Sequence, residues 1–222
     1  MRLLDKRILL GVLVSVLMLS GCSSKNDSTS EKSVDAKKKE VTTTTTIESD
    51  PVGKLIITDV PKEFKVMDDD YGDTGPSDLA KAVRDDSPDS DETVKDSMVA
   101  DGFVHGYQRL WQVDSDDRQI IVFLYEFKKE DGANSFVKRH DQVSKKFFSE
   151  DGRAFDTSIF EEIPNSTTLI VSSALEGYKG ISISFTKDKY AVQIVVNQHE
   201  EVQDRSFVEL CKKLALDQYN LL

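Results

Sequence analysis

The stretch "QIIVFLYEF", Gln119 to Phe127, is apolar at nearly every position. A strand with one wet face alternates apolar and polar side chains, whereas a run that is apolar at both parities belongs in the middle of a sheet. Whatever fold this chain adopts must place neighbours on both sides of that segment. The preceding "FVHGYQRLWQV" puts Phe103, His105, Tyr107, Arg109, Trp111 and Val113 on one face by period two. With "DSDD" as the turn between them, the two runs predict an antiparallel hairpin.

The rest of the body follows the same rules. Asp131 predicts a helix start, with Ala133, Phe136, Val137, Val143 and Phe147 on its buried face. An irregular stretch comes next, then three strand runs, "TLIVSSAL", "GISISFTK" and "YAVQIVVNQ", at Thr168–Leu175, Gly180–Lys187 and Tyr190–Gln198. A final helix over about Val202 to Asp217 buries Phe207, Leu210, Cys211 and Leu214 at helical spacing. Ahead of the hairpin, Ser77 and Ser90 read as N-caps of two short helices, and Gly102 reads as a C-cap.

Hairpin-length connections favour antiparallel pairing, and two amphipathic helices can share one face of such a sheet. The expected fold is therefore α+β: an antiparallel sheet of about five strands with two main helices on one face, in the order ββα-βββα, a two-layer sandwich. Along "GISISFTK", Ile181, Ile183 and Phe185 would pack under the helices while Ser182, Ser184 and Thr186 face away. That polar face is either solvated or covered by the acidic segment before the hairpin.

The N-terminus carries an address. Residues 1–21 begin with Arg2, Lys6 and Arg7, continue through the apolar "ILLGVLVSVLML", and end in Ser20 and Gly21. That apolar stretch fits an export signal and is short for a bilayer span of about 20 residues. Residues 22–50, rich in Ser, Thr, Lys, Glu and Asp and including "VTTTTTIE", are too polar to form a core and read as a disordered tether. Residues 51–222 form the single domain, whose first part, 51–101, is strongly acidic.

The tetrad Leu19-Ser20-Gly21-Cys22 resembles the bacterial lipobox. The resemblance implies that Cys22 receives a diacylglyceryl group and becomes the first residue of a mature lipoprotein. Two acyl chains suffice for stable attachment, at about 0.8 kcal/mol per buried CH2. The expected location is the cell membrane, with the domain lipid-anchored and facing outside the cytoplasm. A lipidated Cys22 would leave Cys211, the chain's other cysteine, without a disulfide partner. In the pattern of "DTGPSDLAKAVRDD", "GFVHGYQRLWQ", "VFLYEF", "DGANSF" and "LALDQYNLL", the domain is similar to uncharacterised lipoproteins of actinobacteria and other Gram-positive bacteria. Its layout also resembles the Mog1/PsbP-like α+β sandwiches. Neither resemblance supplies catalytic residues.

Charge narrows the partners. The formal net charge is −11, and the first 21 residues contribute +2, which leaves −13 on the remainder. Such a body repels nucleic acid and anionic membrane surfaces, so no nucleic-acid partner is expected. Contact with the membrane would run through the lipid.

The residues offer little chemistry. "MDDDYGDTGPSD" (Met67 to Asp78) gathers carboxylates, but Asp68, Asp70, Gly72 and Asp73 miss the register of a calcium loop and read as a solvated turn. His199-Glu200 opens like a zinc-protease helix, yet Gln203 stands where the second histidine belongs. No nucleophile elbow, phosphate loop or Cys-x-x-Cys is present. We expect no metal, no cofactor and no enzymatic activity. His105, Tyr107, Arg109 and Trp111 are the candidate ligand-lining residues, with Arg109 suited to an anion and the rings to apolar walls. The expected function is that of a membrane-anchored binding or accessory module of the cell envelope, acting on an envelope protein or ligand. The alternatives are a carrier of an apolar ligand such as a lipid, and an envelope hydrolase.

Overall fold

The structure, a computed structural model, describes residues 50–67, 74–86, 92–116, 118–150, 154–171, 178–199, 201 and 206–222. The export signal, Cys22, nearly all of the tether, Asp68–Asp73, the Ser90 cap and His199's neighbour Glu200 lie outside them.

Among the described residues, eight antiparallel strands and four helices make up a mixed α+β body. The strands are β1 (Lys65–Val66), β2 (Gly75–Ser77), β3 (Phe103–Gln112), β4 (Gln119–Phe127), β5 (Phe155–Ser158), β6 (Thr167–Val171), β7 (Tyr178–Lys187) and β8 (Tyr190–His199). The helices are α1 (Leu79–Asp86), α2 (Glu92–Asp101), α3 (Glu130–Glu150) and α4 (Ser206–Leu221). The sheet runs β1-β3-β4-β8-β7-β6-β5, and β2 shares the outer edge of β3 with β1.

The expected five strands become eight because three short segments without apolar alternation join existing edges. β1 pairs Lys65 with Gln112, β2 pairs Gly75 with Gln108, and β5 pairs Phe155 with Val171. Pro76 fits an edge strand, where its missing N–H interrupts no ladder. The stretch expected to be irregular after α3 thus contains β5, and the strand expected from Gly180 begins two residues earlier, at Tyr178.

The two main helices also occupy opposite faces of the sheet, not one face. Ile120, Val122 and Leu124 of β4 share a core with Phe207, Cys211, Leu214 and Ala215 of α4. Ile121, Phe123 and Tyr125 share a second core with Ala133, Phe136 and Val137 of α3, joined by Ala82 and Val83 of α1 and Met98 of α2. The architecture is therefore helix, sheet, helix in three layers. The physical reason is the doubly apolar β4 together with β8, whose Ile194 and Val195 point into different cores. Two apolar faces need two covers.

That arrangement resolves the polar face of β7. Ser182 and Ser184 are buried, 7% and 5% exposed, and at its end Thr186 Oγ1 lies 2.6 Å from Asn134 Oδ1 of α3. Small hydroxyl side chains let α3 approach the sheet closely. Along α3, His140 and Phe148 take buried positions and Val143 is exposed, contrary to the expected face. Two cap signals shift by one residue: Asp78, not Ser77, caps α1 by accepting from the Lys81 N–H at 2.8 Å, and α3 begins at Glu130, ahead of Asp131. Gly102 ends α2 with φ +79°, a left-handed conformation suited to glycine.

Candidate functional site

The four candidate residues of β3 fall on one face, as their spacing requires, and the structure brings a fifth element to them. The segment from Asp50 to Val66 crosses this face as a strap. Val52, Ile56, Ile57 and Phe64 of the strap are buried in the same core as Tyr107 and Trp111. Gly53 lies so close to Tyr107 that a Cβ there would come within 2.9 Å of the ring.

The strap is held at both ends of a short 3-10 turn, Gly53–Leu55. Asp50 Oδ1 accepts from the Val52 and Gly53 N–H groups, each at 2.8 Å. The other carboxylate oxygen meets His105 Nε2 at 2.8 Å. Gln218 of α4 completes the hold, accepting from the Ile57 N–H at 3.0 Å and donating to the Leu55 carbonyl at 2.6 Å. His105 is therefore a clasp for the strap.

Tyr107 and Trp111 are core residues, 1% and 2% exposed. Arg109 stands between them on the same face and is 9% exposed, with its Cζ 5.0 Å from the Trp111 ring centroid. Its Nε and Nη1 are buried without a hydrogen-bond partner. Burial pulls the guanidinium below its ordinary pKa, with Tyr107 opposing the shift. An arginine side chain stays protonated in a protein, so the group is a buried cation with donors to spare.

A second polar cluster lies on the α3 face, formed by residues that the sequence analysis did not single out. His140 Nδ1 lies 2.6 Å from Asp86 Oδ1, and its Nε2 is 3.0 Å from Gln193 Nε2 and 3.5 Å from Ser144 Oγ. Amide donation from Gln193 assigns Nε2 as acceptor and Nδ1 as the protonated nitrogen that donates to Asp86. The order Ser144, His140, Asp86 has the look of a nucleophile, base and orienting acid. Gln193 occupies the nitrogen that a nucleophile would need, and Ser144 lies at the outer limit of hydrogen bonding. The one sequence signal was His140 at helical spacing from Phe136, whose ring stacks on it with centroids 5.9 Å apart.

Two clefts accompany these clusters. One of about 310 Å³ lies where α2 meets α3, between Gly102, Lys128, Lys129 and Gly132. The other, about 200 Å³, lies between α3 and the β6–β7 edge and is lined by Asn134, Lys138, Asp141, Asn165, Thr167 and Thr186. Neither includes a candidate residue of β3. Among the described residues, no group of three or more His, Cys, Asp or Glu is placed to hold a metal ion. Among them, too, no helix is long and apolar enough to cross a membrane.

No protein-family model matches the chain, and no curated protein matches it. Among solved structures it is similar to the extracellular domain of PknH from Mycobacterium tuberculosis, at 13% identity. The alignment covers 56% of this chain and 69% of that one, with a TM-score of 0.42.

Proposed function

We propose that the protein is a lipid-anchored module that faces outside the cytoplasm and binds an envelope protein or ligand through the strap-covered face of β3, without transforming it. The binding part rests on one observation, the buried Arg109 with two unpartnered donors. A buried donor without an acceptor costs about 1–3 kcal/mol, so a fold keeps such a group where something outside the chain satisfies it. The anchoring part rests on Leu19-Ser20-Gly21-Cys22 after an apolar export stretch.

The apolar-carrier alternative has less support. Ile183, Phe185, Cys211 and Leu214, each 0% exposed, occupy the layer between α4 and the sheet where such a ligand would sit. The hydrolase alternative meets the Gln193 contact already described.

The anchor is tested by growing cells with labelled palmitate and comparing the wild type with Cys22→Ala, then treating intact cells with protease. The expected wild type is labelled, sediments with membranes and is cut from outside, whereas the variant carries no label. Equal labelling of the two, or protection of the wild type until lysis, would overturn it.

A further inference from the structure

We propose that the protein pairs with a second copy of itself through the outer edge of β5, antiparallel, with Thr157 of each copy opposite Thr157 of the other.

The edge is open and apolar at its margin. β5 pairs with β6 on one side, and among the described residues no strand pairs with its other side. Its Asp156, Thr157 and Ser158 are exposed, so the outward backbone groups form a template for another strand. Beside it lies a small apolar cluster that the chain leaves unfinished. Phe148 of α3 and Leu169 and Val171 of β6 are buried there, while Phe155 of β5 is only partly buried against them. Ile159, directly after the strand, is 71% exposed, more than any other large apolar side chain among the described residues. A sheet continued past β5 would cover both.

The register commits the edge to a second copy. Two antiparallel edges related by a two-fold axis normal to the sheet oppose residues of the same parity, because side chains alternate between the faces. Centring the axis on Asp156 would set two carboxylates directly opposite each other, which is destabilising. Centring it on Ser158 would leave Phe155 without a partner. Centred on Thr157, the pairing sets Thr157 against Thr157, Asp156 against Ser158 and Phe155 against Ile159, and the last two pairs each occur twice. Five consecutive positions thus complement themselves, with a hydroxyl for the carboxylate and an apolar partner for each apolar residue. An edge this short makes a small contact, below the roughly 1,200 Å² of stable interfaces, so the dimer is transient and a covalent trap reads it best.

The full chain in detergent, carrying Thr157→Cys, is mildly oxidised and its disulfide-linked dimer followed with time. Directly opposed residues have Cα atoms about 4.5–5.5 Å apart, within disulfide reach, whereas Asp156 and its copy would be diagonal neighbours about 7–8 Å apart. Cys211 is buried, and Lys95→Cys at an exposed position of α2 measures the background, including any reaction of Cys22. The expected result is fast trapping of Thr157→Cys, with Asp156→Cys and Lys95→Cys at background. Adding Ile159→Lys to Thr157→Cys should slow trapping at least about fivefold, since the lost pair occurs twice. Adding Asp156→Asn should speed it, because the two carboxylates no longer repel across the diagonal. Both added substitutions lie at exposed positions, so Tm should not change. Trapping of Thr157→Cys at the background rate, or equally fast trapping of Asp156→Cys, would overturn the pairing. Slower trapping with Asp156→Asn would overturn it too and would assign the edge to a cationic peptide.

Discussion

His140 of α3 and Asp86 at the end of α1 meet at 2.6 Å with both side chains more than nine-tenths buried, and the contact ties two helices that are 54 residues apart in sequence. On its other nitrogen, His140 takes a hydrogen from Gln193 of β8. One imidazole thus joins α1, α3 and the sheet. Asp86→Ala leaves the His140 Nδ1–H without an acceptor and should cost about 1.5–3 kcal/mol. Asp86→Asn, which keeps an acceptor oxygen, should cost less. Urea unfolding of the wild type and the two variants checks this, and variant midpoints equal to that of the wild type would show that the pair contributes nothing.

Gly132 should not accept a side chain. A Cβ there would stand 1.9 Å from the Asp101 carbonyl oxygen, which is backbone and has nowhere to turn. Gly132→Ala must therefore separate the end of α2 from the start of α3 and disturb the Arg139–Asp101 ion pair, 2.6 Å long. The expected loss is about 1–3 kcal/mol, the range for overpacking. Thermal unfolding measures it, and a Tm within error of wild type would contradict the close approach.

How much of this was legible beforehand depends on the length of the segment. β3, β4, β8 and α4 announce themselves because each carries a long periodic pattern or, in β4, a long unbroken apolar run. "KV", "GPS" and "FDTS" do not, since strands of two to four residues without alternation exist only because an edge is available to pair with. The doubly apolar β4 called for cover on both faces, but nothing in the amphipathic stripes of α3 and α4 says which face each one takes. Likewise, the shared face of His105, Tyr107, Arg109 and Trp111 follows from period two. The strap over it does not, because residues 50–64 are irregular and their contacts are made with distant β3 and α4.

Cys211 should be chemically silent. It is 0% exposed in the core beneath α4, and burial pushes its thiol far above the ordinary value, which keeps it from forming the reactive thiolate. Native protein at pH 8 should consume no thiol reagent at this residue, and denatured protein should consume one equivalent. Rapid native labelling would require α4 to open readily.

Tyr125 sets an alkaline limit. Burial first, then the charges of Asp85 and Asp86, push its phenol well above the usual value. The unfolded chain ionises there near pH 10 while the folded chain stays protonated, so the unfolded state gains stability as pH rises past about 10. Stability from this group is therefore present at neutral pH and lost on alkaline titration. Tyr125→Phe should reduce the drop in unfolding free energy between about pH 10 and 11. An unchanged pH profile would assign alkaline unfolding to other groups.

Asp50 couples the tether to the candidate site, because the chain enters the domain at the residue that holds the strap to His105. Removing its carboxylate takes away the acceptor for two backbone N–H groups and one imidazole contact at once. Asp50→Ala should cost about 1–2 kcal/mol, as loss of a capping acceptor does. The effect should also be local, since Ile57 and Leu55 remain held by Gln218. Trp111 emission should shift to the red and become more open to acrylamide quenching before global unfolding begins. Emission and quenching identical to wild type would mean that the apolar contacts of Val52, Ile56 and Phe64 hold the strap without the clasp.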